Sequence, residues 1–292
     1  MALHRFSQYS ETAPLQKVII GRTENYAQDP AYIEIVNENQ KGGLPESAVL
    51  KREFASFREI LEHRGVEVLM PKRVGPYVYD QLTPRDIAVT IADQIVLCNM
   101  VKSSRRYEMV GIHEFINEMD GQSPAILIPA EPDILLEGGD IMVDGDQLLV
   151  GLSQRTNQKG FAYLRNLFSD RFNIIPLQCT SLDKGENVLH LDCTFNRIGR
   201  QHALIYPAGF VEIPEAIRQY SWIEISRQEQ ALLGTNVLSL DEKTVITRQH
   251  TGLTDLNNRM RQQGFEVIEL PFNGAPATGG SLRCCSLPLV RG

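Results

Sequence analysis

The chain has 292 residues, 42% hydrophobic and 22% charged, a globular composition with enough apolar mass for a sizeable core. A net charge of −7 without any basic run argues against a nucleic-acid surface. The opening "MALHRFSQYSETAPLQKV" has no apolar core of signal-peptide length, and no stretch approaches the ~20 apolar residues of a membrane span; a soluble cytoplasmic protein is expected.

In chain order, "QKVIIGR" (16–22) reads as a strand, "SAVLKREFASFREILEHRG" (47–65) as a helix and "VEVLMP" (66–71) as a strand. Residues 22–46 between them are polar and long enough to serve as a lid. "DIAVTIADQIVLCNM" (86–100) is two apolar runs turning at Ala92-Asp93, followed by the helix candidate "RRYEMVGIHEFINEM" and the strand "AILIPA". "DIMVDGDQLLVGLS" (140–153) turns at Asp144-Gly145-Asp146 and leads into "NQKGFAYLRNLFSD", with Phe161, Leu164 and Leu167 on one helical face, then "NIIPLQC". "CTFNRIGRQHALIYP" (193–207) turns at Gly199–His202, then gives "VEIPEAIRQY" and "WIEIS". "NVLSLDEKTVITR" (236–248) turns at Asp241–Lys243, then gives "GLTDLNNRMRQQG" and "EVIELPF".

The unit is therefore strand–strand–helix–strand, repeating about every 45–55 residues. Four copies are visible, and a fifth assembles from "CCSLPLV" near the end and the N-terminal elements. The predicted fold is α/β: a five-module propeller with pseudo-fivefold symmetry, one domain over residues 1–292. An open doubly wound sheet is the alternative, but a parallel sheet would not contain hairpins so regularly.

Polar residues cluster ahead of the first strand of each hairpin. Asp80 and Asp86 precede the first, "EGGD" (Glu137–Asp140) the second, "HLD" (His190–Asp192) the third, and Cys284 follows Gly279-Gly280 into the last. In a ring of modules these positions face one cavity. A thiolate is a strong nucleophile, a histidine can exchange its proton near neutral pH, and a carboxylate can orient that histidine. The further aspartates suit a cationic substrate, since paired carboxylates match the forked donors of a guanidinium.

Blander readings exist for each residue. Glu137 could serve a glycine turn, His190 could be a satisfied core histidine, Cys284 a small buried hydrophobe, Asp192 a turn cap, and Asp80 and Asp86 solvated loop charges. The shared register favours the functional reading. The five cysteines, Cys98, Cys179, Cys193, Cys284 and Cys285, are scattered and odd in number, so free thiols in a reducing compartment are expected. With no CxxC and no HxxxH, no metal site is expected. If Cys284 faces the cavity, strand alternation turns Cys285 into the apolar layer.

"LLEGGDIMVDGDQLLVGLSQRTNQKG" resembles the dimethylarginine dimethylaminohydrolases, and "GGSLRCCSLPL" resembles the C-termini of these and of the arginine deiminases. "PRDIAVTIADQIV", "HLDCTFNRIG" and "NVLSLDEKTVI" resemble the glycine amidinotransferases. Together they mark a resemblance to the guanidino-group-modifying superfamily, whose fold is a five-module propeller. The resemblance implies Cys284 as nucleophile, His190 as general acid/base and Glu137 as its carboxylate partner. It implies Asp86 and Asp192 as guanidinium ligands, Asp80 as a second substrate contact, and Arg105 and Arg155 as holders of the substrate α-carboxylate.

Arg85 stands where the dimethylarginine hydrolases have an acidic residue, which weakens a methylarginine substrate. "EGGD" stands where the amidinotransferases carry an aspartate in a different motif, which weakens group transfer. The expected function is a hydrolase of arginine or a close analogue, with no metal or organic cofactor. The alternatives are an amidinotransferase and a non-catalytic binding protein of the same fold. The expected partner is a small guanidino substrate, with no nucleic acid and no membrane; a homo-oligomer is left open.

Overall fold

A computed structural model of the chain describes residues 6–24, 45–75, 78, 81–119, 126–181, 184–186 and 188–292. Most of the lid candidate (25–44) and Asp80 lie outside these residues. Among the described residues, fifteen strands form five three-stranded sheets. Strand β1 (Leu15–Ile20) and β2 (Glu67–Leu69) run parallel, joined by the helix Ser47–His63, and β1 pairs antiparallel with β15 (Ser286–Arg291). The other sheets are each a hairpin plus a parallel third strand. They are β3 (Ala88–Ile91), β4 (Gln94–Leu97) and β5 (Ile126–Leu127); β6 (Ile141–Asp144), β7 (Gln147–Leu152) and β8 (Asn173–Gln178); β9 (Phe195–Ile198), β10 (His202–Ile205) and β11 (Ser221–Glu224); and β12 (Leu238–Ser239), β13 (Thr244–Arg248) and β14 (Glu266–Leu270).

All five predicted modules are present, the fifth built from both ends of the sequence. The hairpins turn where glycine or short polar residues allow it: Gly145 and Gly199 adopt left-handed φ of 64° and 58°. Ala92 does the same at φ 54°, an uncommon conformation for a residue with a Cβ.

The helices bury one face on the sheets. Leu50, Phe54, Phe57 and Leu61 of Ser47–His63 recur at three-to-four spacing and are buried. Each such side chain stabilises the fold by about 1.5–3 kcal/mol. Helix Gln158–Phe168 is capped by Asn157, whose side chain accepts from Gly160 N at 2.9 Å, and buries Leu164 and Phe168.

Two helix expectations shorten. In 211–220 only Glu215–Arg218 is α-helical, with Pro214 at its N-cap. In 105–119 the helix is His113–Met119, preceded by 3-10 turns; Gly111 packs so closely that a Cβ would lie 2.5 Å from Gln81 Nε2 and 2.6 Å from Lys72 O.

Neighbouring sheets are joined by hydrogen bonds. Leu136 N donates to Asn99 O (3.2 Å) between the β3 and β6 hairpins, and Arg197 Nε to Asp144 Oδ2 (2.9 Å) between the β6 and β9 hairpins. Asn196 Nδ2 donates to Thr235 O (2.8 Å) and Val237 O (2.9 Å), ahead of β12. Leu15 N donates to Leu240 O (2.8 Å), joining β1 to the β12 hairpin, and Thr90 Oγ1 to Pro288 O (2.8 Å), joining β3 to β15.

Beneath the strand starts lies a buried charged cluster. Glu11 accepts from Gln8 Nε2 at 2.8 Å and faces Arg283 Nη2 at 3.3 Å and Arg85 Nη1 at 3.8 Å, with Arg291 close by. All four charged side chains are buried. No described helix is long and apolar enough to cross a membrane.

Candidate active site

Each module delivers a polar side chain at one place, just ahead of the first strand of its hairpin. Asp86 sits in the single helical turn Pro84–Ile87, which Pro84 opens with its fixed φ. Its Oδ2 accepts from Arg105 Nη1 at 2.8 Å, while its buried Oδ1 has no hydrogen-bond partner and lies 3.9 Å from His190 Nδ1.

Glu137 leads into the 3-10 turn Gly138–Asp140. The two glycines are required by close approach. A Cβ on Gly138 would lie 2.1 Å from Arg85 O, and one on Gly139 would lie 2.7 Å from His190 Cγ and 3.1 Å from Asp86 Oδ1. Gly139→Ala is therefore expected to displace the imidazole and lower kcat by about a hundredfold, checked by steady-state kinetics alongside a thermal melt.

His190 is the N-cap of the 3-10 turn Leu191–Cys193. Its Nε2 is 2.8 Å from Glu137 Oε2, and Glu137 Oε1 accepts from Val101 N at 3.1 Å. Burial opposes charge on the imidazole, but Asp86, the Glu137 hydrogen bond and Asp140 outweigh it and raise His190 to about 10. Glu137 and Asp86 are lowered: burial alone would raise them, but His190 and Arg105 prevail. Asp140 braces the turn, accepting from Leu191 N (2.8 Å) and Ser153 Oγ (2.7 Å); burial raises its carboxyl to about 7.

Cys284 lies in a tight turn, with Cys285 N donating to Ser281 O (2.8 Å) and Ser286 N to Arg283 O (3.1 Å). The two cysteines precede β15 rather than forming part of it, so the turn, and not strand alternation, separates their side chains. Cys285 packs in the apolar layer with Leu50, Phe54 and Leu282, as expected. Cys284 Sγ is 3.6 Å from Asp192 Oδ2, the oxygen that also accepts from Arg283 Nη1 at 2.8 Å. Burial, with Asp192 and Asp86 adding negative charge, raises the Cys284 thiol well above its ordinary range. Asp86 thus acts electrostatically on both the thiol and the imidazole.

The two arginines both turn toward carboxylates of the chain. Arg105 is buried, with Nε and Nη2 on Glu108 (2.8 and 3.0 Å), Nη1 on Asp86 and Nη2 also on Thr83 Oγ1 (2.7 Å). Arg155 Nη1 is 3.5 Å from Glu137 Oε1. Arg85 does not line the site: it lies against Glu11 in the charged cluster.

Asn236 is the contribution of the fourth module, which sequence reasoning missed. Its side chain accepts from Cys284 N at 3.1 Å and donates to Cys284 Sγ at 3.0 Å. The available signal was register alone, because Asn236 stands just ahead of β12 as Asp86 and Glu137 stand ahead of their hairpins.

Asp86, Glu137 and His190 each offer a ligand atom within 4.8 Å of the others. Arg105 and Arg155 already neutralise the carboxylates, and His190 Nε2 is committed to Glu137. The group suits a protonated imidazole and an organic cation better than a metal ion.

The repeat and the side chains it converges define a class, the guanidino-group-modifying superfamily. Within it the chain belongs to the eukaryotic N,N-dimethylarginine dimethylhydrolase family, whose model matches residues 24–291. It is 32% identical over 297 residues to the uncharacterized protein YkgA of Bacillus subtilis, covering 99% of this chain and 96% of that one. Among solved structures it resembles SxtG, an amidinotransferase from Microseira wollei, with a TM-score of 0.83 and 21% identity over 98% of this chain and 97% of that one. It also resembles a dimethylarginine dimethylaminohydrolase from Pseudomonas aeruginosa complexed with citrulline, with a TM-score of 0.75 and 20% identity over 94% and 99% of the two chains. At these identities the structural likeness establishes the fold.

Proposed function

We propose that the protein is a cysteine-dependent hydrolase of the guanidino group of arginine or a close analogue. One observation carries this reading: Asp86 Oδ1 is buried without a hydrogen-bond partner beside His190, with its charge felt at Cys284. A buried carboxylate oxygen left open calls for a donor, and a guanidinium supplies one together with the positive charge the site favours. The family's dimethylarginine hydrolase description supports hydrolysis.

In this mechanism Asp86 and Asp192 flank the guanidinium. As the cation binds, the Cys284 thiol gives its proton to water and the thiolate adds to the guanidinium carbon; protonated His190, held by Glu137, gives its proton to the departing nitrogen as the C–N bond breaks. A covalent thiouronium remains. Water loses a proton to His190 and adds to the same carbon. The C–S bond then breaks, its electron pair returns to sulfur together with the hydroxyl proton, and a ureido product leaves, citrulline if arginine is the substrate. No metal or organic cofactor is required. Arg155 is the better placed holder of a substrate carboxylate, because every nitrogen of Arg105 is already engaged within the chain. Asp80 is kept as a second substrate contact on the resemblance alone.

The hydrogen bonds from sheet to sheet support a closed five-module propeller, a single domain of residues 1–292. The five free cysteines suit a cytoplasmic setting.

An amidinotransferase is the second reading, favoured by the likeness of "HLDCTFNRIG" and "NVLSLDEKTVI" to the glycine amidinotransferases. The first half-reaction is the same, with an amine replacing water in the second. Incubation with arginine, methylated arginines, agmatine and guanidino acids, with and without glycine or lysine, read by mass spectrometry, separates them. A ureido product with ammonia or an amine is expected. Ornithine with a new guanidino compound would establish transfer, and no turnover of any compound would favour a binding protein.

A further inference from the structure

We infer that Asn236 is a catalytic residue that holds the Cys284 sulfur in place and stabilises its thiolate. The inference rests on the reading of Cys284 as nucleophile. The backbone N–H of Cys284 can only donate, and it meets Asn236 Oδ1 at 3.1 Å. That contact fixes which end of the carboxamide is which. The other end, Nδ2, must face Sγ, at 3.0 Å, as an N–H donor.

The carboxamide cannot swing away. Asn236 is 1% exposed, and its N donates to Leu233 O at 3.0 Å. The carbonyls on either side, Thr235 O and Val237 O, both accept from Asn196 Nδ2, and Thr235 Oγ1 donates to Asp192 O at 2.8 Å. The β9 module therefore clamps the segment ahead of β12 that holds the proposed nucleophile of a third module.

The thiol S–H has Asp192 Oδ2 as its acceptor, at 3.6 Å, whereas the Asn236 donor approaches the sulfur itself. When the proton leaves, Asp192 opposes the negative sulfur and Asn236 favours it. A hydrogen bond to a charged acceptor is about twice as strong as a neutral one. Once sulfur is bonded to the guanidino carbon it becomes a poor acceptor. The contact regains strength as the C–S bond breaks and sulfur takes back the electron pair. Asn236 thus acts at both ends of the covalent intermediate.

The test measures alkylation of Cys284 by iodoacetamide from pH 6 to 10, with the adduct located by peptide fragmentation. Asn236→Asp keeps an acceptor for Cys284 N, removes the donor to sulfur and adds a negative charge beside it. Asn236→Ala removes the donor without adding charge. Both are expected to shift the alkylation profile to higher pH, with the rate at pH 7.5 reduced about tenfold to a hundredfold. A structural role alone would lower the melting temperature and leave this profile in place. A profile for a folded Asn236→Ala protein that superimposes on the unaltered one overturns the inference, whatever becomes of Asn236→Asp. Because no substrate enters the measurement, failure to turn over any guanidino compound would remove the proposed function and leave this result standing.

Discussion

Cys284→Ser is expected to fold normally and to lose turnover by about 10⁴-fold or more, as removal of an enzyme nucleophile does. The exchange is nearly isosteric, so a melting temperature within a few degrees of the parent is part of the expectation. The loss is large because the site does little to ionise its nucleophile in the resting state. Burial and two aspartates push the thiol up, and His190, raised to about 10, is already protonated at neutral pH. Burial and the aspartates thus favour a neutral thiol at Cys284 and the carboxylates a protonated imidazole at His190, the form that can protonate a leaving nitrogen. In the proposed mechanism the guanidinium between Asp86 and Asp192 would offset the charges that hold the thiol proton. It follows that a cationic haloacetamidine should alkylate Cys284 faster than neutral iodoacetamide at pH 7, with the difference narrowing as pH rises toward the thiol's own range. Equal rates at pH 7, or a serine variant with undiminished turnover, would remove Cys284 from this role.

Glu11→Gln is expected to destabilise the protein by about 3–5 kcal/mol, the usual consequence of removing one partner from a buried ion cluster. Glu11 faces three buried arginines. Burial alone would raise its carboxyl, but Arg283, Arg85 and Arg291 lower it below 4.5. That stabilisation is present above pH 4.5 and is lost as pH falls through the lowered value. Arg85 has the opposite sign. Burial and Arg283 lower it to about 9, and its Nη1 and Nη2 have no hydrogen-bond partner. Its charge is thus unfavourable in the folded state at neutral pH, and Arg85→Met is expected to be neutral or stabilising. Urea midpoints for the two variants check both signs. Glu11→Gln should also reach the site, because Arg283 joins Glu11 to the Asp192 oxygen beside Cys284.

The hairpin repeat was legible because its turns are written in local chemistry: Asp144-Gly145-Asp146 and Gly199 announce reversals whatever surrounds them. The pairing of Glu137 with His190, and of Asp192 with Cys284, followed from register plus familiar residue types. What escaped depended on contacts distant in sequence. Glu11 and Arg85, 74 residues apart, carry no mutual signal in the sequence. Asn236 shares the register of the other site residues, but a carboxamide does not titrate, and its role appears only when Cys284 lies beside it. The position of Cys284 in a turn was hidden because "CCSLPLV" is apolar enough to read as strand throughout. Arg105 shows the reverse problem: its place in the resemblance suggested a ligand for substrate, whereas its guanidinium is surrounded by Asp86, Glu108 and Thr83.

The pairing of β1 with β15 has a consequence for the order in which the molecule is made. Synthesis runs from the N-terminus, so β1, ending at Ile20, emerges long before β15, which begins at Ser286. Until then one side of β1 is an open edge, available to strands of other chains. Cys284, the proposed nucleophile, sits next to β15, so it too arrives after the other four hairpins have left the ribosome. A nascent chain can hold a nearly complete cradle of carboxylates while having no thiol with which to use it, and a folding partner or a fast final step would protect the open edge during that interval.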